Sequence, residues 1–360
     1  MHVPDGFINA PVSVVAGVVA AGAVAVSLRG ARRELGAMSG PGGIGGERTA
    51  PLAGLVAAFI FAVQMLNFPV AGGTSGHLLG GALAAILVGP FTGVLCVSVV
   101  LLMQGVLFAD GGLTALGVNI TDMAIVTTVV AYAIFRGLVK ALPRRRSSVT
   151  AASFVAALIS VPAAAVAFTA MYALGGTTDV SVAKVAGAMI GVHVLIGVGE
   201  AVITALTVAA VIAVRPDLVY GARGLTAPLK LRVGGELVDA PAAPTPAPAA
   251  RSSHRGLWLS GLAASVVLAG FVSFYASASP DGLEKVAHDK GIDRKAEDHA
   301  SKDSPLADYG VKDISDARIS GGLAGVIGVG VTVVAGTGVF WVLRRRRDTD
   351  TSPSQVGGTV

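Results

Sequence analysis

The sequence predicts an all-α integral membrane protein: a seven-helix bundle followed by a two-helix transmembrane module with a small external loop domain. Three observations carry that expectation. The 360 residues are 53% hydrophobic and only 14% charged, whereas a soluble domain is about a quarter charged. Mean hydropathy is +0.73. Long apolar runs recur between short basic clusters, which is the pattern of membrane topology; the pI near 9.5 therefore does not point to nucleic acid. Abundant Gly (48 residues) and few aromatics suit helices that pack closely in lipid. The single cysteine, Cys96, lies inside an apolar run and reads as packing.

Runs long enough to span a bilayer cover about 10–28, 50–70, 78–108, 117–139, 150–174 and 185–214, then 257–275 and 320–343. Basic residues fix their direction. Arg29, Arg32, Arg33 and Arg48 flank the first connection and Lys140 and Arg144 to Arg146 a later one; Arg215, Arg223, Lys230, Arg232, Arg251 and Arg255 form a third group, and Arg344 to Arg347 a fourth. All are expected in the cytoplasm. The run 78–108 is too long for one helix, and counting it once would place Arg144–Arg146 outside. A break at Gly89-Pro90 restores parity, because Pro interrupts a helix. The first block then has seven spans, with its N-terminus and the loops near 71–77, 109–116 and 175–184 outside. The final pair leaves 276–319 outside and the C-terminus inside, so a multi-pass protein of a bacterial plasma membrane is expected. A cleaved signal peptide would need basic residues before its apolar core, and here they follow it. Met1 is therefore expected to remain.

The domain expectation is a seven-helix membrane domain over 1–233, a Pro/Ala-rich cytoplasmic linker over 234–255, a two-helix domain over 256–347 and a disordered tail over 348–360. The segment 276–319 has mixed charges and little apolar periodicity, so a loosely structured loop is expected there.

Chemistry concentrates at Met1-His2. A free α-amine, the deprotonated amide of residue 2 and the imidazole of a His at position 2 close two adjacent chelate rings. Such planar nitrogen sets suit Cu(II) and Ni(II), with a fourth donor completing the plane. His77, in the glycine-rich GGTSGHLLGG, falls on the same expected face. His193 and Glu200 are seven residues apart on one face of a membrane helix. An ionisable residue within a span is a functional candidate, so the pair is read as supporting the site or joining helices. Gln104, Asn119, Asp122 and Asp110 are read chiefly as helix-packing and turn residues, and His288 and His299 as part of a solvated charged loop. There is no phosphate loop, nucleophile motif or two-cysteine motif, so neither an enzyme nor an organic cofactor is expected.

MHVPDGFIN, GGTSGHLLGGALAAILVGP, LLMQGVLFADGGLTALGVNITDM and HVLIGVGEAVIT resemble the membrane substrate-binding component of cobalt and nickel energy-coupling-factor transporters, the CbiM/NikM type. PDGLEKVAHDKG, between the last two spans, resembles the PDGLE domain, in the place of the small CbiN/NikN-type subunit. The resemblance implies a compact seven-helix bundle with an inward-dipping N-terminus. It implies Co(II) or Ni(II) as transported substrate, held by four nitrogens from Met1, His2 and His77. Read from their own positions in or near spans, His193, Glu200 and Asn119 are candidate supporting polar contacts. Implied partners are a transmembrane coupling protein (CbiQ/NikQ type), cytosolic ATPases (CbiO/NikO type) and membrane lipid, with no nucleic acid. Two alternatives stay open: a stand-alone permease coupling through Glu200 to an ion gradient, and a membrane metal sensor. Nothing in the residues chooses cobalt over nickel.

Overall fold

The computed structural model describes residues 1–37, 49–225, 230–233, 236–239 and 254–350. After a buried N-terminal segment come α1 (Ala10–Ala37) and α2 (Thr49–Gln64). A small antiparallel pair, β1 (Phe68–Pro69) with β2 (Ser75–Gly76), leads into α3 (Gly81–Val88) and α4 (Pro90–Leu107). Helix α5 (Leu116–Asn119) continues through a π-helical turn, Ile120–Val126, into α6 (Thr127–Ala141). The long helices α7 (Arg146–Gly175) and α8 (Val182–Val214) complete the first bundle. A hairpin of β3 (Lys230–Val233) and β4 (Glu236–Asp239) precedes α9 (His254–Gly270), α10 (Gly282–Lys290) and α11 (Ala317–Asp350).

Seven helical segments among the described residues are long and apolar enough to cross a membrane: those of α1, α4, α5–α6, α7, α8, α9 and α11. Helix α2 is apolar but shorter. The run 78–108 does break at Gly89-Pro90: Gly89 adopts φ 101° and Pro90 opens α4. Glu34 of α1 fixes this break by accepting from the amides of Phe91 (3.1 Å) and Thr92 (2.7 Å). A carboxylate there complements the positive end of the α4 dipole. The half preceding the break is not a full span, however. Helix α3 has eight residues, all buried, or about 12 Å against a bilayer core of about 30 Å. It descends inside the bundle, where other helices cover it.

Small residues set the helix contacts. A Cβ on Gly197 of α8 would come 2.8 Å from the carbonyl of Leu158 in α7. On α2, Gly54 packs against Thr337 of α11, and Phe61 packs against Gly328. The second module therefore seats directly on the first bundle through α2.

The segment 276–316 corrects the expectation of a loose loop. Asp281 and Glu284 form a capping box at the start of α10, and Gly291 ends it in the left-handed region. Leu283, Val286, Ala287 and Ile292 are all buried in the main core. Their spacing of three and four residues is that of an amphipathic helix, too short to stand out among the surrounding charges. Of the expected linker over 234–255, residues 236–239 form β4 and 254–255 open α9, and the rest lies outside the described residues. Helix α11 extends to Asp350, three residues past the expected module boundary, and the remaining tail lies outside them too.

Candidate metal centre

The N-terminal segment is threaded into the bundle, with Met1, Val3 and Phe7 buried. Asn119, at the end of α5, holds it with both ends of its amide. Its Oδ1 accepts from the Val3 N–H (2.7 Å) and its Nδ2 donates to the Val3 carbonyl (3.1 Å), which also accepts from Gly112 (2.9 Å). The carboxylate of Asp5 accepts from the Thr114 amide (2.8 Å), and Ile8 bridges to Gly176 after α7. These bonds fix where the first two residues point.

His77 follows β2. Its Nδ1 lies 3.0 Å from the Leu78 carbonyl and its Nε2 2.7 Å from the Met1 amine. Donation from Nδ1 to the carbonyl leaves the Nε2 lone pair facing the amine. Glu200 of α8 anchors the next two residues, accepting from the amides of Leu79 (2.7 Å) and Gly80 (3.2 Å). From α2, the Gln64 Nε2 donates to the Leu79 carbonyl (2.9 Å).

His2 stacks on His77 with ring centroids 5.1 Å apart and planes 15° apart. Its Nδ1 faces Asp110 at 3.1 Å and its Nε2 faces the Gln104 Oε1 at 3.2 Å. Both partners are acceptors, so a neutral imidazole satisfies the stronger one, the carboxylate. Burial, offset in part by Asp110, lowers the His2 pKa to about 4, which keeps the ring neutral and its lone pair usable. The Tyr309 hydroxyl closes the network by donating to Asp110 (2.6 Å) and accepting from Gln104 (2.9 Å). Its own ionisation is pushed well above the usual range by burial and by Asp110.

The second module supplies the remaining group. Asp281 Oδ2 lies 2.8 Å from the Met1 ammonium and 3.6 Å from His77 Nε2. Burial alone would raise this carboxyl, yet the ammonium and His77 hold it well below the usual carboxylate range. Its other oxygen caps α10 through the Glu284 amide (2.7 Å). Ligand atoms of His2, His77 and Asp281 all fall within 4.8 Å of one another. Beside Asp281, Gly282 rests on α8: a Cβ there would lie 2.9 Å from Ile196 Cδ1 and 3.1 Å from His193 Cε1. His193 donates from Nδ1 to the Met189 carbonyl (2.7 Å), and its buried Nε2 has no hydrogen-bond partner among the described residues.

The structure thus gathers Met1, His2 and His77 at one point. It places Asn119 on the N-terminal segment, Glu200 on the His77 loop, and His193 beneath the tip of α10. Asp281 was missed as a contact of the site, and so were Gln104 and Asp110, read as packing and turn residues, which both hold His2. His299 is not a free loop residue: its Nε2 lies 3.1 Å from the Gly111 carbonyl, whereas His288 is exposed as expected. The capping box Asp281-x-x-Glu284 was a usable helix signal, but no local pattern ties it to a residue 280 positions earlier.

The arrangement offers a buried amine, two stacked imidazoles and a carboxylate at one end of a membrane bundle, which is a donor set for a transition-metal dication. The sequence profile of the family described as "Cobalt uptake substrate-specific transmembrane region" matches residues 2–218, and that of the PDGLE domain matches 255–345. The fused nickel transport protein NikMN of Rhodobacter capsulatus is 31% identical, covering 96% of this chain and 98% of its own length. The cobalt transport protein CbiM of Sorangium cellulosum is 36% identical over 47% of this chain and 75% of its own. A crystal structure of a transition metal transporter superposes with a TM-score of 0.50 at 26% identity, covering 59% of this chain and 93% of that one. With both profiles matched in order along one membrane-spanning chain, the protein belongs to the CbiM/NikM family of cobalt and nickel transport membrane components, joined here to a PDGLE domain.

Proposed function

We propose that this chain is the substrate-capture component of an energy-coupling-factor importer for Co(II) or Ni(II). It takes the ion at the extracellular face through the Met1 amine, the His2 amide nitrogen and imidazole, and His77. The observation that carries the reading is the 2.7 Å approach of the Met1 amine to His77 Nε2, beside the stacked His2 ring. Two donors that are 76 residues apart in sequence are held together by Asn119 on one side and Glu200 on the other.

Binding requires three local events. The amine gives up its proton and leaves Asp281, the His2 amide is deprotonated, and the His2 ring shifts its proton from Nδ1 to Nε2, facing Gln104, as Nδ1 turns from Asp110 toward the ion. The amine, amide and Nδ1 then close a five- and a six-membered ring, and His77 Nε2 supplies the fourth nitrogen. Asn119 and Glu200 act as positioning residues. Glu200 is fully occupied by two loop amides, which favours that role over proton coupling in a stand-alone permease. The outward orientation is supported by Arg29, Arg32, Arg33 and Arg144 to Arg146, which sit at the helix ends remote from Met1. ATP hydrolysis belongs to separate cytosolic subunits, reached through a transmembrane coupling protein.

The test is Ni(II) and Co(II) titration of the purified full chain and of His2→Ala and His77→Ala, alongside metal uptake in cells with the partner subunits. Both variants should lose tight binding. Unchanged affinity in both would overturn the site, and uptake without any partner subunit would overturn the importer class.

A further inference from the structure

Four side chains from three parts of the chain close a ring of polar contacts beside the nitrogen donors. His2 Nδ1 faces Asp110 Oδ1 at 3.1 Å, the Tyr309 hydroxyl donates to Asp110 Oδ2 (2.6 Å), Gln104 Nε2 donates to the Tyr309 oxygen (2.9 Å), and Gln104 Oε1 faces His2 Nε2 at 3.2 Å. With the ring proton on Nδ1, as the carboxylate favours, the last contact sets lone pair against lone pair. With the proton on Nε2 it becomes a hydrogen bond, and Nδ1 is free to bind a metal. The Gln104 amide could relieve the first case by flipping and donating to His2 Nε2. Tyr309 prevents this. Its proton is committed to a carboxylate, the strongest acceptor in reach, so towards Gln104 it offers only lone pairs and demands a donor. Gln104 is fully buried, so its amide answers to these neighbours rather than to solvent.

The backbone that presents Tyr309 is itself unusual. Asp308 (φ 53°) and Tyr309 (φ 55°) are consecutive non-glycine residues in the left-handed region, and Ala109 (φ 55°), next to Asp110, is a third. Such residues persist there only where their surroundings fix them, and they gather at functional sites. Here the two modules fix each other. The Asp308 amide donates to the Phe108 carbonyl (2.9 Å), the Ser304 hydroxyl donates to the Leu107 carbonyl (2.6 Å), and the Tyr309 ring stacks on Phe108 with centroids 4.9 Å apart. The result is one hydroxyl aimed at both Asp110 and Gln104.

We propose that Tyr309 is a positioning residue lent by the PDGLE module: by fixing the Gln104 amide it selects the Nε2–H tautomer of His2, the one that frees Nδ1 for metal. The proposal rests on the reading of Met1, His2 and His77 as the nitrogen site. No proton passes through Tyr309. The ring proton moves from Nδ1 to Nε2 of the same imidazole, where Gln104 Oε1 receives it, and Tyr309 acts only through an amide whose two ends differ. The second module thereby sets the chemistry of a ligand that lies in the first.

Tyr309→Phe keeps the ring on Phe108 and removes only the hydroxyl. Full-length protein in nanodiscs, carrying isotope-labelled histidine, is read by solid-state nitrogen NMR, with His2→Ala identifying the His2 signals. In the metal-free Tyr309→Phe variant Gln104 should turn its amide and donate to His2 Nε2, moving that nitrogen's resonance from its wild-type position. Ni(II) is then titrated and followed by its square-planar absorption band. Affinity should fall about tenfold, near the worth of one hydrogen bond. Gln104→Met removes both ends of the amide and so separates a relay from packing. In that background Tyr309→Phe should change affinity by less than about twofold, the non-additivity of residues that act as a unit. Unchanged Ni(II) affinity in Tyr309→Phe overturns the proposal, as does an unmoved Nε2 resonance. An equal loss in the Gln104→Met background also overturns it and leaves Tyr309 a packing residue. A wild-type chain without the square-planar band overturns the nitrogen site instead, and the metal-free resonance still decides whether Tyr309 sets the amide.

Discussion

Replacing Asn119 by Ala tests the claim that the N-terminal donors are held rather than merely nearby. The Asn119 amide makes two bonds to one residue, accepting from Val3 N–H at 2.7 Å and donating to its carbonyl at 3.1 Å. The two losses are unequal. The carbonyl keeps a bond from Gly112 at 2.9 Å, so there the change removes an ordinary hydrogen bond, worth about 1 kcal/mol. The Val3 amide has no such reserve, and leaving it buried and unpaired costs about 1–3 kcal/mol. Together the docked segment loses about 2–4 kcal/mol. If only the docked segment binds metal, apparent affinity for Ni(II) falls by up to about 30- to 1,000-fold, less whatever surplus docking had.

The assay is a Ni(II) titration of the full chain, paired with hydrogen exchange at residues 2–8. Asn119→Asp keeps the acceptor for the Val3 amide and loses the donor, so it should fall between wild type and Ala. Exchange should rise in the same order as affinity falls. Affinity within about threefold of wild type, together with unchanged exchange, would refute the clamp. Raised exchange with unchanged affinity would show that docking and binding are not coupled.

Blocking the amine with a retained formyl group or an uncut tag should abolish tight binding while leaving the helical circular dichroism unchanged; full binding by the blocked chain would exclude the amine as ligand. Gly282→Ala should lift α10 from α8, because the added Cβ meets Ile196 and His193 within about 3 Å. The strain, about 1–3 kcal/mol, should expose the 276–316 segment to protease without dissolving either helix pair. Acid should release the N-terminal segment of the metal-free protein. The docked His2 titrates at about 4, below its ordinary 6.5, so protons bind the undocked form more readily. Docking is therefore intact above pH 6.5 and weakens as pH falls toward 4, by up to about 3 kcal/mol. Hydrogen exchange of residues 2–8 across that range measures it, and a flat profile would contradict it.

How much was legible in the sequence differed by the range of the interaction. The break at Gly89-Pro90 followed from one residue's geometry and one charge-parity argument. The grouping of Met1, His2 and His77 followed from topology and from the chemistry of an amino-terminal histidine. Helix α3 escaped because hydropathy reports apolarity, not depth: a half-length helix shielded by its neighbours reads like part of a span. Asn119 was among the candidate supporting contacts but Gln104 was not, because a polar residue in an apolar run has many uses, and only packing shows that both face the N-terminal residues. Asp281 escaped for a different reason. Its cap and its short helix were readable in PDGLE, but its partner lies across the whole bundle, and no periodicity carries that distance.

A dication cannot be buried in a bundle without its charge being met, since uncompensated charge in a low dielectric is expensive. The geometry suggests how this protein avoids the problem. In the metal-free state the buried ammonium of Met1 already faces Asp281 at 2.8 Å. In the proposed binding mode one proton leaves that ammonium and one leaves the His2 amide while two positive charges are added. Net charge in the site is unchanged, and Asp281 needs only to exchange one cationic partner for another. The same accounting makes a sharp prediction. Two protons released per ion give a slope of about two in log affinity against pH, or about a hundredfold per unit, wherever both protons are present in the free protein. Ni(II) titrations at several pH values, with proton release followed in weakly buffered solution, read it directly. A slope near one would mean that the amide stays protonated and the chelate is incomplete. A slope near zero would mean that neither backbone nitrogen is a ligand, and that histidines and Asp281 alone hold the ion.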